Sequence, residues 1–304
     1  MIKIRVPATT ANMGPGFDSI GMAFKLYNHI WVEPLPEGSQ TVIELRNRQE
    51  EIPTDETNMI YRAMQRFYQE AGIEGRMPPV RLIQEDYIPM TRGLGSSAAC
   101  IVGGLVAANE ISGRGMSKRE LANIAAIIEG HPDNSTPAIM GGIVVGAMTE
   151  GRLDYIKIDT AELVKKRLSF SVMIPDFHLS TEKARSVLPG SYSMQDAVYN
   201  ASRSALMVAS LLTGNLEQLM VAMDDKLHQP YRQKIIPGMA EIFAEAKRLG
   251  AKGVFLSGAG PTLIAVNDRP FFNVEMKDFL SGLPNHWQIM ELEPDNDGVV
   301  IERG

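Results

Sequence analysis

The stretch Pro89-Met90-Thr91-Arg92-Gly93-Leu94-Gly95-Ser96-Ser97-Ala98-Ala99 constrains this chain more than any other. Two glycines flank a leucine. Two serines then open a run of small residues, Ala98, Ala99, Gly103, Gly104, Ala107 and Ala108, with Ile101, Leu105 and Val106 between them. The run reads as a buried helix from about Ser96 to Ile111, with either serine suited to its N-cap. The remaining free N–H groups and the positive end of the helix dipole then face outward from the first turn. A glycine loop leading into such a turn lets backbone wrap closely around phosphate oxygens. A plain glycine turn before a core helix is the other reading, and the loop alone leaves both open. The Walker pattern needs a Gly-Lys-Ser/Thr ending, which is missing here. The Rossmann pattern needs three spaced glycines directly after a strand, where this chain has Pro89, Thr91 and Arg92.

The chain has 304 residues, enough for one large domain or two ordinary ones. An apolar fraction of 44% and a charged fraction of 22% belong to a soluble globular protein. A net charge of −6 without a long basic run argues against nucleic-acid binding. No apolar run approaches the ~20 residues of a spanning helix, so no membrane association is expected. The N-terminus alternates like a strand and is no signal peptide. The single cysteine, Cys100, excludes an internal disulfide and suits a reducing, cytoplasmic setting. Its spacing places it in the core, and the 18 methionines read as adaptable core filling.

Ile2, Ile4 and Val6 share one face of a first strand that ends at Pro7. Gly14-Pro15-Gly16 is a forced turn, flanked by Asn12 and Asp18, which serve either a common pocket or local turn bonds. Strands are expected over 24–33, 41–45 and 80–88, and a helix over 58–71. Ser117 with Glu120 forms a capping box for a helix that runs to about Glu129, into Gly130-His131-Pro132-Asp133-Asn134. Strands follow over 139–148 and 152–158, then a polar, helix-prone stretch over 160–167 near which a domain boundary falls. The second half begins with a strand over 168–174. Ser180 caps a short helix on which Thr181 and Arg185, four apart, share a face. Helices follow over 194–213, 216–223 and 239–249, with residues 228–232 as a loop carrying Arg232. Residues 254–266 read as strand, glycine turn and strand.

Pro-x-x-x-Gly-Leu-Gly-Ser-Ser-Ala, over Pro89–Ala98, resembles the central motif of the GHMP kinase superfamily. The segment Pro7-Ala8-Thr9-Thr10-Ala11-Asn12-Met13-Gly14-Pro15-Gly16-Phe17-Asp18 resembles the N-terminal signature of its homoserine kinase branch. Ser257-Gly258-Ala259-Gly260-Pro261-Thr262 resembles the third superfamily motif. The three stand in family order, and the resemblance runs through the chain.

This resemblance implies an α+β GHMP kinase fold. Residues 1–160 would form an ATP-binding N-terminal domain like the second domain of ribosomal protein S5. Residues 161–304 would form a ferredoxin-like C-terminal domain that contributes to the substrate site. It implies ATP and Mg²⁺, with L-homoserine phosphorylated to O-phospho-L-homoserine for threonine biosynthesis. The segment Pro89–Ala99 would hold the phosphates, with Arg92 either helping or solvated. Ser97 and Glu129 would hold the metal, since Mg²⁺ needs only one or two protein oxygen ligands besides phosphate and water. His131 would be structural, because Mg²⁺ avoids nitrogen. Arg185 and Arg232 would take the substrate carboxylate in forked contacts. Asn12, Asp18, Asp133 and Asn134 would serve its ammonium and hydroxyl, and Thr181, Gly258 and Gly260 would line the pocket. Asp133, Asn134, Ser97 and Glu129 form the candidate catalytic set, with Asp133 as general base or as ammonium ligand left open. The rivals are a GHMP kinase for another small alcohol such as mevalonate, and a non-catalytic sensor on the same fold. A homodimer is neither required nor excluded by these residues.

Overall fold

The first strand does not stop at Pro7. In the computed structural model, which describes residues 1–47, 52–73, 76–165 and 168–303, β1 runs Ile2–Ala11 against β2, Ile20–Pro34. The register shifts between Pro7 and Ala8. A proline has no N–H to give the ladder, and a bulge accommodates it without ending the strand. The continued half, Ala8–Ala11, is buried and delivers Thr9, Thr10 and Asn12 to the interior.

The N-terminal half adds β3 (Val42–Leu45), α1 (Met59–Glu70), β4 (Val80–Glu85), α2 (Ser96–Ser112), α3 (Lys118–Glu129), α4 (Ser135–Met140), β5 (Ile143–Thr149) and β6 (Arg152–Ile158). A short α5 (Ala161–Lys165) leads on to β7 (Ser169–Pro175), α6 (Thr181–Ser186), α7 (Met194–Thr213), α8 (Leu219–Ala222) and α9 (Gln229–Arg232). The chain closes with α10 (Met239–Arg248), β8 (Gly253–Leu256), β9 (Leu263–Asn267), α11 (Phe272–Ser281), β10 (Trp287–Leu292) and β11 (Val300–Arg303). Residues 166 and 167 of the expected polar stretch lie outside the described residues. The strand expected from Ile139 is a correction: residues 135–140 are helical, with Pro137 tolerated in the first turn, and the strand starts at Ile143 after Gly141-Gly142. Arg232 sits on a helical turn rather than in a loop.

The second sheet has the order β10-β7-β9-β8, all antiparallel. Numbered within that half, this is 4-1-3-2, the ferredoxin-like arrangement. The first sheet runs β11-β1-β2-β4-β3, with β5 and β6 continuing from β2. The last strand thus returns to the first, pairing Ile4 with Ile301, so a single cut at 160/161 does not describe residues 293–303. One apolar core spans both halves, and Phe24 of β2 meets Phe170 of β7 edge-on, with centroids 5.5 Å apart.

The helix α1 is held by a buried amide chain. Asn58 Oδ1 accepts from Ile60 N (3.0 Å) and Tyr61 N (3.3 Å), capping the helix, while Asn58 Nδ2 donates to Pro53 O and to Gln84 Oε1. Gln84 Nε2 in turn donates to Asp86, which Asn28 also holds. Burial pushes the Asp86 carboxyl up to about 6, against the pull of the Gln84 bond. Asn58→Ala removes a helix cap and leaves the buried Gln84 Oε1 without its donor, so it is expected to cost roughly 2 kcal/mol or more in urea unfolding. An unchanged unfolding midpoint would show that the network carries no stability.

Candidate active site

The glycine loop is anchored through its carbonyls. Thr91 O accepts from Leu179 N at 3.5 Å, Arg92 O from Thr262 N at 3.1 Å and Leu94 O from Thr9 N at 3.1 Å. Gly93 O accepts from the Ser257 hydroxyl at 2.5 Å. With these oxygens bonded to the protein behind, the loop does not turn them on an anion in front. Gly93 and Gly95 have φ of 81° and 71°. A Cβ on Gly93 would stand 2.4 Å from Ser257 O, and one on Gly95 2.0 Å from Thr9 Oγ1. Both positions therefore need glycine for conformation and for space.

The N-cap of α2 is Gly95, not a serine, and no side chain caps the helix. This corrects the expected serine cap. The first-turn N–H groups are left for whatever enters the cavity in front of them, which is the ready-made form of an anion site. Ser97 Oγ rests on the Met59 thioether at 3.2 Å, a weak acceptor.

That cavity, of about 340 Å³, brings together nearly all the expected residues. Thr91, Gly93, Gly95, Ser96, Ser97 and Ala98 line it, together with Asn12, Asp18, Glu129, Asp133, Asn134, Thr181, Arg185, Arg232, Gly258 and Gly260; His131, Ile101, Ile128, Leu179 and Ala259 line it too. Pro89, Met90, Arg92, Leu94 and Ala99 are not among its lining residues. Leu94 and Ala99 are wholly buried and shape the loop from behind. Arg92 donates to Pro175 O (3.0 Å) and Asp176 O (3.1 Å) and meets His178 Nδ1. It ties the loop to the second half.

The opposite wall is a set of ion pairs. Arg185 from α6 grips Asp18 through both guanidinium nitrogens, at 3.0 and 2.8 Å. Asn12 Oδ1 accepts from Asp18 N at 2.9 Å, and its Nδ2 donates to Gly258 O at 2.8 Å. Asp133, 2% exposed, pairs with His131 Nδ1 at 2.6 Å. Burial opposes the His131 imidazolium, but the hydrogen bond and charge of Asp133, with Glu129 and Asp18, outweigh it and lift its pKa to about 9. Asn134 Oδ1 accepts from Thr9 Oγ1 at 2.9 Å. Arg232, 1% exposed, donates from Nε to Ala184 O at 3.2 Å and from Nη1 to Gly258 O at 2.9 Å. Burial first, and then the neighbouring Arg185, pull its pKa down to about 10.

Among the described residues that line the cavity, several side chains offer metal-ligand atoms. Asp18, His131 and Asp133 lie with theirs within 4.8 Å of one another. Both carboxylates there already have cationic partners, and a protonated imidazole cannot ligate. Ser97 and Glu129 supply a hydroxyl and a carboxylate, the hard donors Mg²⁺ prefers. Glu129 accepts from Ser135 N at 3.0 Å, yet burial still pushes its carboxyl up to about 7.

The sequence motifs did not disclose Thr9 as partner of Asn134, Ser257 as anchor of the loop, or His131 as a cavity residue paired with Asp133. Hydroxyls in a buried strand carry no distinctive pattern. His131 had one available signal, its place two residues before Asp133.

The chain matches the family described as GHMP kinases N terminal domain over residues 58–142, and GHMP kinases C terminal over residues 207–270. A homoserine kinase from Caldicellulosiruptor bescii is 46% identical over 305 residues, covering 99% of this chain and 97% of that one. One from Petrotoga mobilis is 44% identical over 303 residues, covering 99% and 96%. This chain belongs to the homoserine kinase family. The crystal structure of homoserine kinase from Cytophaga hutchinsonii superposes with a TM-score of 0.86 at 25% identity, over 99% of this chain and 97% of that one. The N-terminal segment, the glycine loop and the turn between β8 and β9 meet at this one cavity through Asn12 and Asp18, Gly93 and Gly95, and Gly258 and Gly260.

Glu129 yields a pH-dependent expectation. Its carboxyl is raised from 4.5 to about 7, so between those values the folded chain holds a proton that the unfolded chain has released. Stability therefore falls as pH rises through this window. Glu129→Gln keeps an acceptor for Ser135 N and removes the charge. Without nucleotide or metal it is expected to melt a few degrees above the wild type at pH 8, with the gain vanishing by about pH 4.5. A gain that is constant with pH would refute the assignment.

Proposed function

We propose that this chain transfers the γ-phosphoryl group of ATP to the side-chain hydroxyl of L-homoserine, giving O-phospho-L-homoserine and ADP for threonine biosynthesis. The observation that carries this is the pairing, in one cavity, of an uncapped helix N-terminus with a cation and carboxylate wall facing it. The first suits phosphates; the second suits a small zwitterion.

Phosphoryl transfer demands positioning and charge stabilisation more than covalent chemistry. The N–H groups from Gly93 to Ala98 take the β- and γ-phosphate oxygens, while the loop carbonyls are occupied elsewhere. A second cavity of about 610 Å³, lined by Thr57, Met59, Arg62, Arg66 and Ile127, shares Ser97, Ile101 and Ile128 with the first. We assign the nucleoside to it. Ser97 and Glu129 would hold Mg²⁺, which when bound would neutralise phosphate charge. On the other wall Arg232, with Arg185 beside it, takes the substrate carboxylate. Asp133 and Asp18 accept the ammonium, and Asn134 and Asn12 fix the chain so that its hydroxyl faces the γ-phosphorus. Asp133 already holds the proton-bearing His131, which favours an electrostatic role over that of general base. The single cysteine is buried, which accords with a cytoplasmic site of action. A coupled ADP-release assay across homoserine, threonine, serine and mevalonate tests the reading; turnover with mevalonate and not homoserine would overturn it.

Arg232→Ala should leave the substrate carboxylate short of a partner, at roughly 2–5 kcal/mol. At about 1.4 kcal/mol per tenfold, the homoserine KM rises by tens-fold or more while the ATP KM changes little. Homoserine with its carboxylate reduced to an alcohol should be discriminated strongly by the wild type and weakly by the variant. Equal discrimination would mean that Arg232 does not meet the carboxylate.

Asp133→Asn separates the two roles of that residue. Loss of an ammonium ligand raises the homoserine KM, whereas loss of a base lowers turnover with KM nearly fixed. The KM effect is expected, and a pure turnover loss would assign Asp133 as the base.

A further inference from the structure

His228 is wholly buried at the start of α9, one helical turn before Arg232, and the chemistry proposed above does not use it. Each of its two ring nitrogens meets polar neighbours that can play only one role. Nε2 lies 2.8 Å from Gly14 O and 3.5 Å from Asp225 Oδ2. A carbonyl and a carboxylate only accept, so Nε2 carries the proton. Nδ1 lies 3.2 Å from Arg232 Nη1. A guanidinium only donates, so Nδ1 carries none. The surroundings thus select one neutral tautomer from hydrogen-bond geometry alone. Burial, opposed by Asp225 and helped by Arg232, also holds the imidazole pKa below its ordinary value.

The consequence falls on Arg232. Its Nε hydrogen goes to Ala184 O, and its two Nη1 hydrogens go to Gly258 O and His228 Nδ1. Among the described residues Nη2 has no hydrogen-bond partner, and Arg232 lines the cavity. A guanidinium is a rigid plane, so fixing three of its five hydrogens fixes the direction of the other two. His228 also stacks on Phe17, with centroids 5.2 Å apart and planes at 22°. Phe17 precedes Asp18, and its ring lies 5.5–5.6 Å from both guanidinium carbons. Asp225 holds the turn in place, accepting from the backbone N of Leu227, His228 and Gln229.

We propose that His228 is a positioning residue which, as the neutral Nε2–H tautomer, locks Arg232 so that its free Nη2 edge points at the substrate carboxylate. This rests on the carboxylate assignment of Arg232, and the test separates the two. His228→Gln places a donor near the Nε2 position and keeps the bond to Gly14, but offers Arg232 no acceptor. His228→Asn places an oxygen near Nδ1 and keeps the bond to Arg232, but gives up Gly14. With H228Q the homoserine KM rises about tenfold, the ATP KM stays within about twofold, and discrimination against the carboxylate-reduced substrate falls. H228N recovers most of the lost homoserine affinity and discrimination although its Tm is the lower of the two. A merely structural role would follow Tm and move both KM values together, and that result overturns the proposal. If H228Q does not fold, a [15N]histidine NMR spectrum of the wild type decides: His228 protonated at Nε2 alone supports the proposal, and protonation at Nδ1 overturns it. If Arg232→Ala leaves the homoserine KM unchanged, the carboxylate reading itself has failed. If Arg232→Ala raises it and H228Q does not, only the positioning role has failed.

Discussion

The site depends on where four carbonyl oxygens point. Thr9, Leu179, Ser257 and Thr262 draw the carbonyls of residues 91–94 into the protein. A peptide loop presents acceptors as readily as donors, and a loop free to rotate would offer an anion both signs of partial charge. Engaging the acceptors from behind leaves the donors in front, and the uncapped turn of α2 adds its own N–H groups and dipole. The four anchors come from β1, from the segment after β7, and from the turn between β8 and β9. The loop is therefore correctly shaped only when both sheets are assembled and docked.

This explains why the chain spends so much of its interior on small and hydroxyl side chains near the loop. Thr10 and Ser257 share a hydrogen bond of 2.8 Å between the two halves, and Thr9 reaches Asn134. These contacts bring the strand from the first motif, the loop of the second and the turn of the third to a common point. Three segments of quite different sequence position are thus one unit in space, and their order along the chain reflects the fold that joins them.

Much of this was legible beforehand. The capping box of α3 forms as read, with Ser117 Oγ accepting from Glu120 N, and α7 runs Met194–Thr213 between a serine cap and Gly214. Such features are local, and local chemistry decides them. What was missed depended on partners distant in sequence. Pro7 reads as a strand end until a bulge against β2 absorbs it. Ala138 to Val145 is an apolar run interrupted only by glycines, which cannot be divided into helix and strand by periodicity when both parts are buried. Ser96 is a good N-cap by type, but the loop already has Gly95 in the left-handed conformation there. The cavity residues that carry motif signatures were found from the motifs. The ties of Arg92 were not legible because its carbonyl partners at Pro175 and Asp176 lie more than eighty positions away.

The return of β11 to β1 bears on how the protein is made. During synthesis β1 emerges before β11 by every element that lies between them, so one edge of the first strand waits for all of these. Residues 293–295 run along β2 just before β11, with Asp295 buried, giving its N–H to Ala23 O and taking the Tyr27 hydroxyl on its carboxylate. Until β11 has been made, the strand that supplies Thr9 to the loop keeps an open edge, where another nascent chain could pair. The N-terminal half is thus sealed only after the C-terminal half has been made, and the shape of its glycine loop is inherited from both.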